Sequence, residues 1–330
     1  MKTITHISWL IALFASLQIT ASHAQTSYEP ITQQIILHVE RAGTLPLMID
    51  DIQKYLITNL KLSGELNGTD ILMLREMAGR DVEGNSVVGS LEKLDLSDAE
   101  IIEGASPYYE DKSSGTSYTT STWIISPYMF YHCDGQKSIK LPKTTKKICQ
   151  YAFSECEQLS DIEIPEGVTE ILEYAFKNCA SLTNVNIPES VTNMSGTFQG
   201  CTSLTSVNFL GKSPLPLYMY GFDNTFNHCP NLQAIRFFSP TPLITNIYPG
   251  ISNDVIVYIP KGSMSAYSAT RWGDYNLVEF DATDIDTPIR TDKAGAREHY
   301  SIDGKRLTAP QRGLNIIREA DGTTKKILIQ

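Results

Sequence analysis

The residues best suited to chemistry in this sequence are two His-Cys pairs. His132 directly precedes Cys133, and His228 directly precedes Cys229. A His beside a Cys can activate a thiolate nucleophile or supply half of a metal site. Neither role is favoured here, because the sequence has no Cys-x-x-Cys or His-Glu-x-x-His motif and because both Cys recur at a fixed position of an internal repeat. The pairs therefore predict neither a metal site nor a catalytic thiol.

One pair of carboxylates, Asp161 and Glu163, is the next candidate. The surrounding segment alternates apolar and polar residues, so both side chains should project from the same solvated face of a strand. A glycoside hydrolase needs its two carboxyl groups on facing walls, with the pKa of one of them raised. The sequence also lacks a Gly-x-Ser-x-Gly elbow, a phosphate loop and a dinucleotide fingerprint. It predicts a non-enzymatic protein with no metal or other cofactor, in which Asp161 and Glu163 are candidate ligand contacts.

Aromatic side chains are concentrated in two segments, 104–127 and 215–222, and the first of these is rich in Ser, Thr and Gly. This composition is typical of adaptable binding loops, in which tyrosine and tryptophan provide the anchoring contacts. The candidate ligand-binding residues in the two segments are Tyr108, Tyr109, Tyr118, Trp123, Tyr218 and Tyr220. We expect the first loop to lie outside the folded core. The alternative is that its rings fold back and cover the edge of the core.

These candidates lie within or beside an internal repeat built around the pattern Phe-x-x-Cys. The segment 151–165 aligns with 174–188, and nearly every apolar position is shared. The five Cys of this pattern are Cys133, Cys156, Cys179, Cys201 and Cys229. Successive members are 23, 23, 22 and 28 positions apart. We expect these five to form a column of buried, reduced thiols, and we expect Cys149 to be the most exposed of the six Cys.

Each repeat contains a Leu-x-x-Ile-x-Ile-Pro segment that suits a short strand, which the Pro then ends. Such a unit cannot bury its apolar side alone, whereas stacked copies form a parallel sheet over a continuous core. The fold class predicted is a repeat solenoid of the leucine-rich-repeat type, mostly β, with a few short helices near its two ends. One buried row of strand residues should contain Ile139, Ile162, Val185, Val207 and Ile235.

The full pattern is Ile-Pro-x-x-Val-Thr-x-Ile-x-x-x-Ala-Phe-x-x-Cys-x-x-Leu-x-x-Val-x-Ile-Pro, and it extends over 130–237. It resembles the BspA-like leucine-rich repeats of surface and secreted proteins from anaerobic Gram-negative bacteria. Members of that family are often described as adhesins. The resemblance implies an adhesin-type protein that binds a host or bacterial surface protein or a glycan. A structural spacer without its own ligand is the alternative, and a hydrolase assembled across repeats is less favoured.

The N-terminal residues have the pattern of a secretion signal. Lys2 precedes an apolar run over 7–19, and small residues before Gln25 suit cleavage by a signal peptidase. The apolar run is shorter than the roughly 20 residues that span a bilayer. We expect an exported protein that is extracellular, at the cell surface or associated with the outer membrane.

The composition narrows the range of partners. The net charge is −10, with 27 Lys and Arg against 37 Asp and Glu. This balance disfavours binding to nucleic acid or to an anionic membrane, because both need a concentrated basic face. No segment after the signal is long and apolar enough to span a membrane. The hydrophobic fraction of 42% is sufficient for a large core.

The segments on either side of the repeats contain patterns that predict a helix before the repeats and a closing coil after them. Ile71, Leu74 and Met77 have helical spacing, with Asn67 or Thr69 as the N-cap. Tyr267 and Trp272 offer bulky side chains for closing the last repeat. We divide the chain into a signal peptide (1–24), an N-terminal cap (25–56), helix-bearing repeats (57–103), the aromatic insertion (104–127), BspA-like repeats (128–239), a C-terminal capping coil (240–280), a linker (281–299) and a short β tail of three strands (300–330).

Overall fold

A computed structural model describes 30–194, 196–212, 224–242 and 249–281, together with the backbone of four strands between 298 and 329. The predicted signal peptide lies outside the described residues. So do Tyr218 and Tyr220, two of the candidate binding residues.

The described chain is built mainly from short strands. In chain order the first ten are β1 (Ile35–Val39), β2 (Asn59–Leu66), β3 (Lys93–Ile101), β4 (Gly104–Asp111), β5 (Thr116–Thr120), β6 (Ile124–Ile125), β7 (Ser138–Lys140), β8 (Lys147–Ile148), β9 (Asp161–Glu163) and β10 (Glu170–Ile171). The others are β11 (Asn184–Ile187), β12 (Asn193–Met194), β13 (Ser206–Phe209), β14 (Ala234–Phe237), β15 (Ile256–Pro260), β16 (Asn276–Phe280), β17 (Glu298–Tyr300), β18 (Arg306–Leu307), β19 (Gly313–Arg318) and β20 (Thr324–Ile329). The described part of the chain contains two α-helices, α1 (Gly68–Met77) and α2 (Met264–Ser268).

Stacking the repeats gives parallel ladders on two sides of the core. One side carries two five-stranded sheets, ordered β1-β2-β3-β7-β9 and β11-β13-β14-β15-β16, and the other carries β6-β8-β10-β12. Ile139 lies opposite Ile162, and Val207 lies between Val185 and Ile235. All five of these side chains are buried. The predicted leucine-rich-repeat solenoid is therefore confirmed.

Two columns of side chains fill the core between the sheets. The rings of Phe130, Phe153, Phe176, Phe198 and Phe226 are stacked nearly parallel, with centroids 5.1–6.0 Å apart. Beside them, each column thiol from the second repeat onward donates a hydrogen bond to a Phe carbonyl of the preceding repeat, as in Cys156 Sγ to Phe130 O at 3.0 Å. All six Cys are free and buried, so the expectation that Cys149 is exposed is wrong.

The buried thiols make stability sensitive to alkaline pH. Burial raises the pKa of Cys133 and of Cys229 to about 11, against about 8.5 for a solvated thiol. The native state therefore retains protons that the unfolded chain releases, so stability is full below about pH 8.5 and falls as pH rises toward 11. We expect urea unfolding between pH 7 and 11 to show a loss of about 3 kcal/mol for each such thiol. Cys133→Ala should flatten this dependence, and an unchanged slope would contradict the assignment.

The N-terminal cap is tied to α1 by a buried carboxylate. Asp70 accepts hydrogen bonds from the backbone N–H groups of Gly43, Leu45 and Asn67 at 2.6–2.9 Å. Asn67 Oδ1 in turn accepts from the N–H of Thr69, so Asn67 is the N-cap and Thr69 is not. This capping box fixes the start of the predicted helix and holds the cap segment against it.

The C-terminal end closes on two buried rings, as predicted. Trp272 packs edge-on against Phe237 at 4.9 Å, and the Tyr267 hydroxyl donates to Ser239 O at 2.8 Å. Strand β16, which extends the parallel ladder beyond β15, was not predicted. The tail is an antiparallel sheet ordered β18-β17-β19-β20, with four strands where three were expected, and β17 begins inside the predicted linker.

Candidate ligand-binding surfaces

The aromatic insertion (104–127) contains a hairpin of β4 and β5 that packs against the core. It is not a loop that projects from the core. Tyr108 is fully buried, and its hydroxyl donates to Pro127 O at 2.6 Å. Tyr109 is only 8% exposed. The expectation of a free loop is therefore wrong for these two residues, and the folded-back alternative describes them. The physical reason is that β4 lies against α1, where each tyrosine ring removes a large apolar area from water.

Trp123 differs from the two buried tyrosines. Its side chain is 47% exposed, and its indole Nε1 donates to Glu100 Oε1 at 2.5 Å. Its backbone has a φ of 62°, a left-handed conformation in the turn that leads into β6. The ring thus offers an apolar face at the surface while its polar group is already paired.

Tyr118 lies at the end of a line of half-buried rings that crosses the repeats. Its centroid is 4.9 Å from that of Tyr128, which is 5.1 Å from Tyr151, which is 5.3 Å from Tyr174. We call these four residues the tyrosine row. Tyr128, Tyr151 and Tyr174 share the position five residues before the column Cys, where the backbone φ is 56–60°. The next repeat has Gly196 there, and a Cβ at Gly196 would lie 2.7 Å from Tyr174 Cε1, so the row ends with its last ring over a glycine.

Three hydroxyls of the row, those of Tyr118, Tyr128 and Tyr151, stay protonated over the physiological pH range. Burial, with a smaller contribution from Tyr118, raises the pKa of Tyr128 to about 12. Burial also raises the pKa of Tyr118 and of Tyr151. At the far end, Lys177 Nζ lies 5.4 Å from the centroid of Tyr174. The row therefore presents neutral ring edges with hydroxyls that can both donate and accept hydrogen bonds.

A buried cation supports the start of the row. Arg75 is fully buried on α1, and its Nη1 donates to the carbonyls of Tyr128 at 3.0 Å and Met129 at 3.2 Å. The guanidinium carbon lies 5.1 Å from the centroid of Tyr109. Arg75 thereby joins the helix, the hairpin and the first repeat turn. The sequence does not reveal this role of Arg75. Its position on α1 shows only that it lies on the buried face of the helix, and it does not show which carbonyls the guanidinium contacts.

The sheet face holds the predicted carboxylates. Asp161 and Glu163 are exposed on β9, as expected from the alternation. A cleft of about 330 Å³ opens beside them, between β9 and β11, and Lys140, Glu166 and Asn186 also line it. The carboxylates are exposed to solvent, whereas the acid of a glycoside hydrolase is held in an enclosed apolar site. The cleft therefore does not provide the enclosed environment of such an acid.

The His-Cys pairs occupy a turn position of the repeat. The five residues that precede the column Cys are His132, Glu155, Asn178, Gly200 and His228. All five have φ between 58° and 76°, a left-handed conformation. The thiols beside the two His are buried and point into the core. Among the residues that the structure describes, no group of three or more His, Cys, Asp or Glu side chains could hold a metal ion.

This turn role makes a testable prediction for the two His. Asn tolerates a positive φ well, so His132→Asn and His228→Asn should each change the free energy of unfolding by less than about 0.5 kcal/mol. A β-branched residue is strained there, and His132→Val should cost at least about 1 kcal/mol. Urea unfolding measures both. If the Asn and Val variants of His132 were equally stable, the left-handed backbone conformation would not determine which residues are tolerated at this position.

The parallel ladders, the Phe column and the left-handed turns define a leucine-rich-repeat solenoid. A family model described as the BspA type leucine rich repeat region matches 123–249 in six copies. Residues 123–249 are therefore a BspA-type leucine-rich-repeat region. Within the described part of the chain, no helix is both long enough and apolar enough to cross a membrane.

Several solved bacterial proteins are similar to the chain. The leucine-rich-repeat protein of T. pallidum is 25% identical over 40% of this chain and 63% of its own, with a TM-score of 0.34. The pneumococcal vaccine antigen PcpA is 15% identical over 76% of this chain and 68% of its own, with a TM-score of 0.40. A leucine-rich-repeat protein of Bacteroides ovatus is 18% identical over 70% of this chain and 50% of its own, with a TM-score of 0.34. The chain thus spans less than two thirds of the T. pallidum protein. No curated protein matches it at a significant level.

Proposed function

We propose that this protein is exported and acts outside the cell or at its surface as an adhesin-type binding protein. Its ligand is a protein or glycan on a host or bacterial surface, and its role is binding rather than catalysis. The secretion-signal pattern before Gln25 supports export, and the BspA-type region supports a binding scaffold. The observation that carries the proposal is the tyrosine row.

The tyrosine row has the physical properties of an anchoring surface. Tyrosine is enriched among residues that contribute most to binding, because it combines a large apolar ring with a hydroxyl. The rings are held by contact with their neighbours at 4.9–5.3 Å, so little side-chain entropy remains to be lost on binding. Trp123 and the exposed carboxylates Asp161 and Glu163 are further candidate contacts. Tyr218 and Tyr220 remain sequence predictions.

A capture experiment separates an adhesin from a structural spacer. The chain from 25 to 330 is immobilised and exposed to host-matrix extract, bacterial-surface extract and a glycan array. The adhesin proposal expects a bound component that the double variant Tyr151→Ala with Tyr174→Ala no longer retains. Tyr55→Ala is the matched control, since Tyr55 is half-buried in the N-terminal cap outside the row. If no component is retained, the spacer alternative is favoured. If all three proteins retain the same components, the protein binds a ligand but not through the tyrosine row.

A further inference from the structure

The parallel ladder opens at one point along its length. β9 and β11 are adjacent, yet they belong to different sheets, and within the described ladder no hydrogen bond joins them. The opposite side of the same two repeats is intact, because Glu170 on β10 pairs with Asn193 on β12. The rings of Phe153 and Phe176 also remain in contact, with centroids 5.1 Å apart. The opening is therefore confined to the sheet face and does not divide the core.

The cleft at this opening combines apolar and acidic groups. Ile164, Pro188 and Leu210 provide buried or half-buried apolar surface. The exposed carboxylates that line the cleft are Asp161, Glu163 and Glu166. The single cation among the lining residues is Lys140. The local charge of the cleft is therefore negative.

The cleft carboxylates lack the neutralising partners found elsewhere on the sheet. On β3, Asp98 forms salt bridges with Lys61 at 2.7 Å and Lys143 at 3.0 Å. No salt bridge within the described residues involves any carboxylate of the cleft. Lys140 is in register with Glu163 on one side and with Asp95 of β3 on the other, so two carboxylates share its charge. A cation from outside would meet a net negative charge here.

We propose that the cleft binds a lysine or arginine side chain from an extended basic segment of a protein partner. The aliphatic stem of such a side chain covers the apolar surface, while its charged group hydrogen-bonds to the carboxylates. This inference deepens the proposed binding function and rests on it, because it specifies the chemistry of a protein ligand.

A pair of synthetic peptides tests the cleft directly. The probe is the blocked peptide Ser-Val-Lys-Val-Arg-Val-Ser, and its counterpart has Glu in place of Lys and Arg. Fluorescence anisotropy with the mature chain should detect binding of the basic peptide only, weakening as salt is added. Glu163→Gln combined with Glu166→Gln should lower the affinity by about tenfold or more. Glu157→Gln is the matched control, since Glu157 is exposed in the same repeat but does not line the cleft.

The outcomes separate this inference from the proposed function. Tyr151→Ala with Tyr174→Ala should leave binding of the basic peptide unchanged, even where it abolishes capture of a surface ligand. Equal binding of the two peptides, or an unchanged affinity in the Glu163 and Glu166 variant, would overturn the cleft assignment. Displacement of the basic peptide by a neutral glycan would also overturn it. None of these results depends on whether the tyrosine row binds a ligand. Because salt is varied on the unsubstituted protein, the salt dependence tests the charge argument independently of any variant.

Discussion

Replacing Phe176 by alanine is expected to lower the free energy of unfolding by about 3–5 kcal/mol. Phe176 is fully buried, and its ring lies 5.1 Å from Phe153 and 5.4 Å from Phe198. Truncation leaves a cavity that the neighbouring rings cannot fill, because each is held at a fixed position by its own repeat. Each repeat contacts mainly its two neighbours, so loss of a central ring weakens two interfaces at once. Urea unfolding followed by circular dichroism measures the effect.

An exposed apolar residue provides the control for this prediction. Val88 is 74% exposed, and Val88→Ala should change the free energy of unfolding by no more than about 0.5 kcal/mol. If Phe176→Ala were as mild as Val88→Ala, the stacked Phe column would not be a main source of stability.

The second large effect concerns binding by the tyrosine row. Tyr151→Ala with Tyr174→Ala should weaken binding of the captured surface ligand by at least about thirtyfold, the loss expected when an aromatic anchor is truncated. Equilibrium titration of that ligand against wild-type and variant protein measures the change. Both rings are half-buried and line one side of the repeats, so the fold should persist with a lower unfolding midpoint.

A conservative pair separates binding from stability. Tyr151→Phe with Tyr174→Phe keeps the ring contacts and removes only the hydroxyls, so the unfolding midpoint should stay close to that of the wild type. Each lost hydrogen bond should cost about 1 kcal/mol of binding free energy, which gives an intermediate affinity. If the Phe and Ala variants both bind like the wild type, the row is a structural feature and the site lies elsewhere.

The repeat architecture was predictable because the same apolar positions recur every 22 or 23 residues through most of the array. Such spacing fixes which residues face the core, whatever the loops do between them. The buried strand row and the Phe column follow from it, whereas the anchors Tyr267 and Trp272 were indicated by their bulk after the last repeat. The exposed positions of Asp161 and Glu163 follow from the same alternation.

The candidate surfaces were only partly predictable. Tyr108 and Tyr109 resemble an exposed binding loop in composition, yet tyrosine also suits a buried strand, and only the contact with α1 distinguishes the two environments. The rings of the tyrosine row come from separate repeats and meet only after stacking. Their one sequence signal is a Tyr five residues before the Cys in three repeats. The buried Cys149 was missed because it stands outside the repeat column.

Tyrosine-directed chemical modification, read residue by residue in the free and ligand-saturated protein, tests the central claim most directly. The captured surface ligand is the probe, and Tyr55 in the N-terminal cap is the internal reference. We expect the bound ligand to protect Tyr118, Tyr151 and Tyr174 from modification while Tyr55 reacts equally in both states. Unchanged reactivity along the row in the saturated protein would contradict the proposal that these tyrosines bind the ligand.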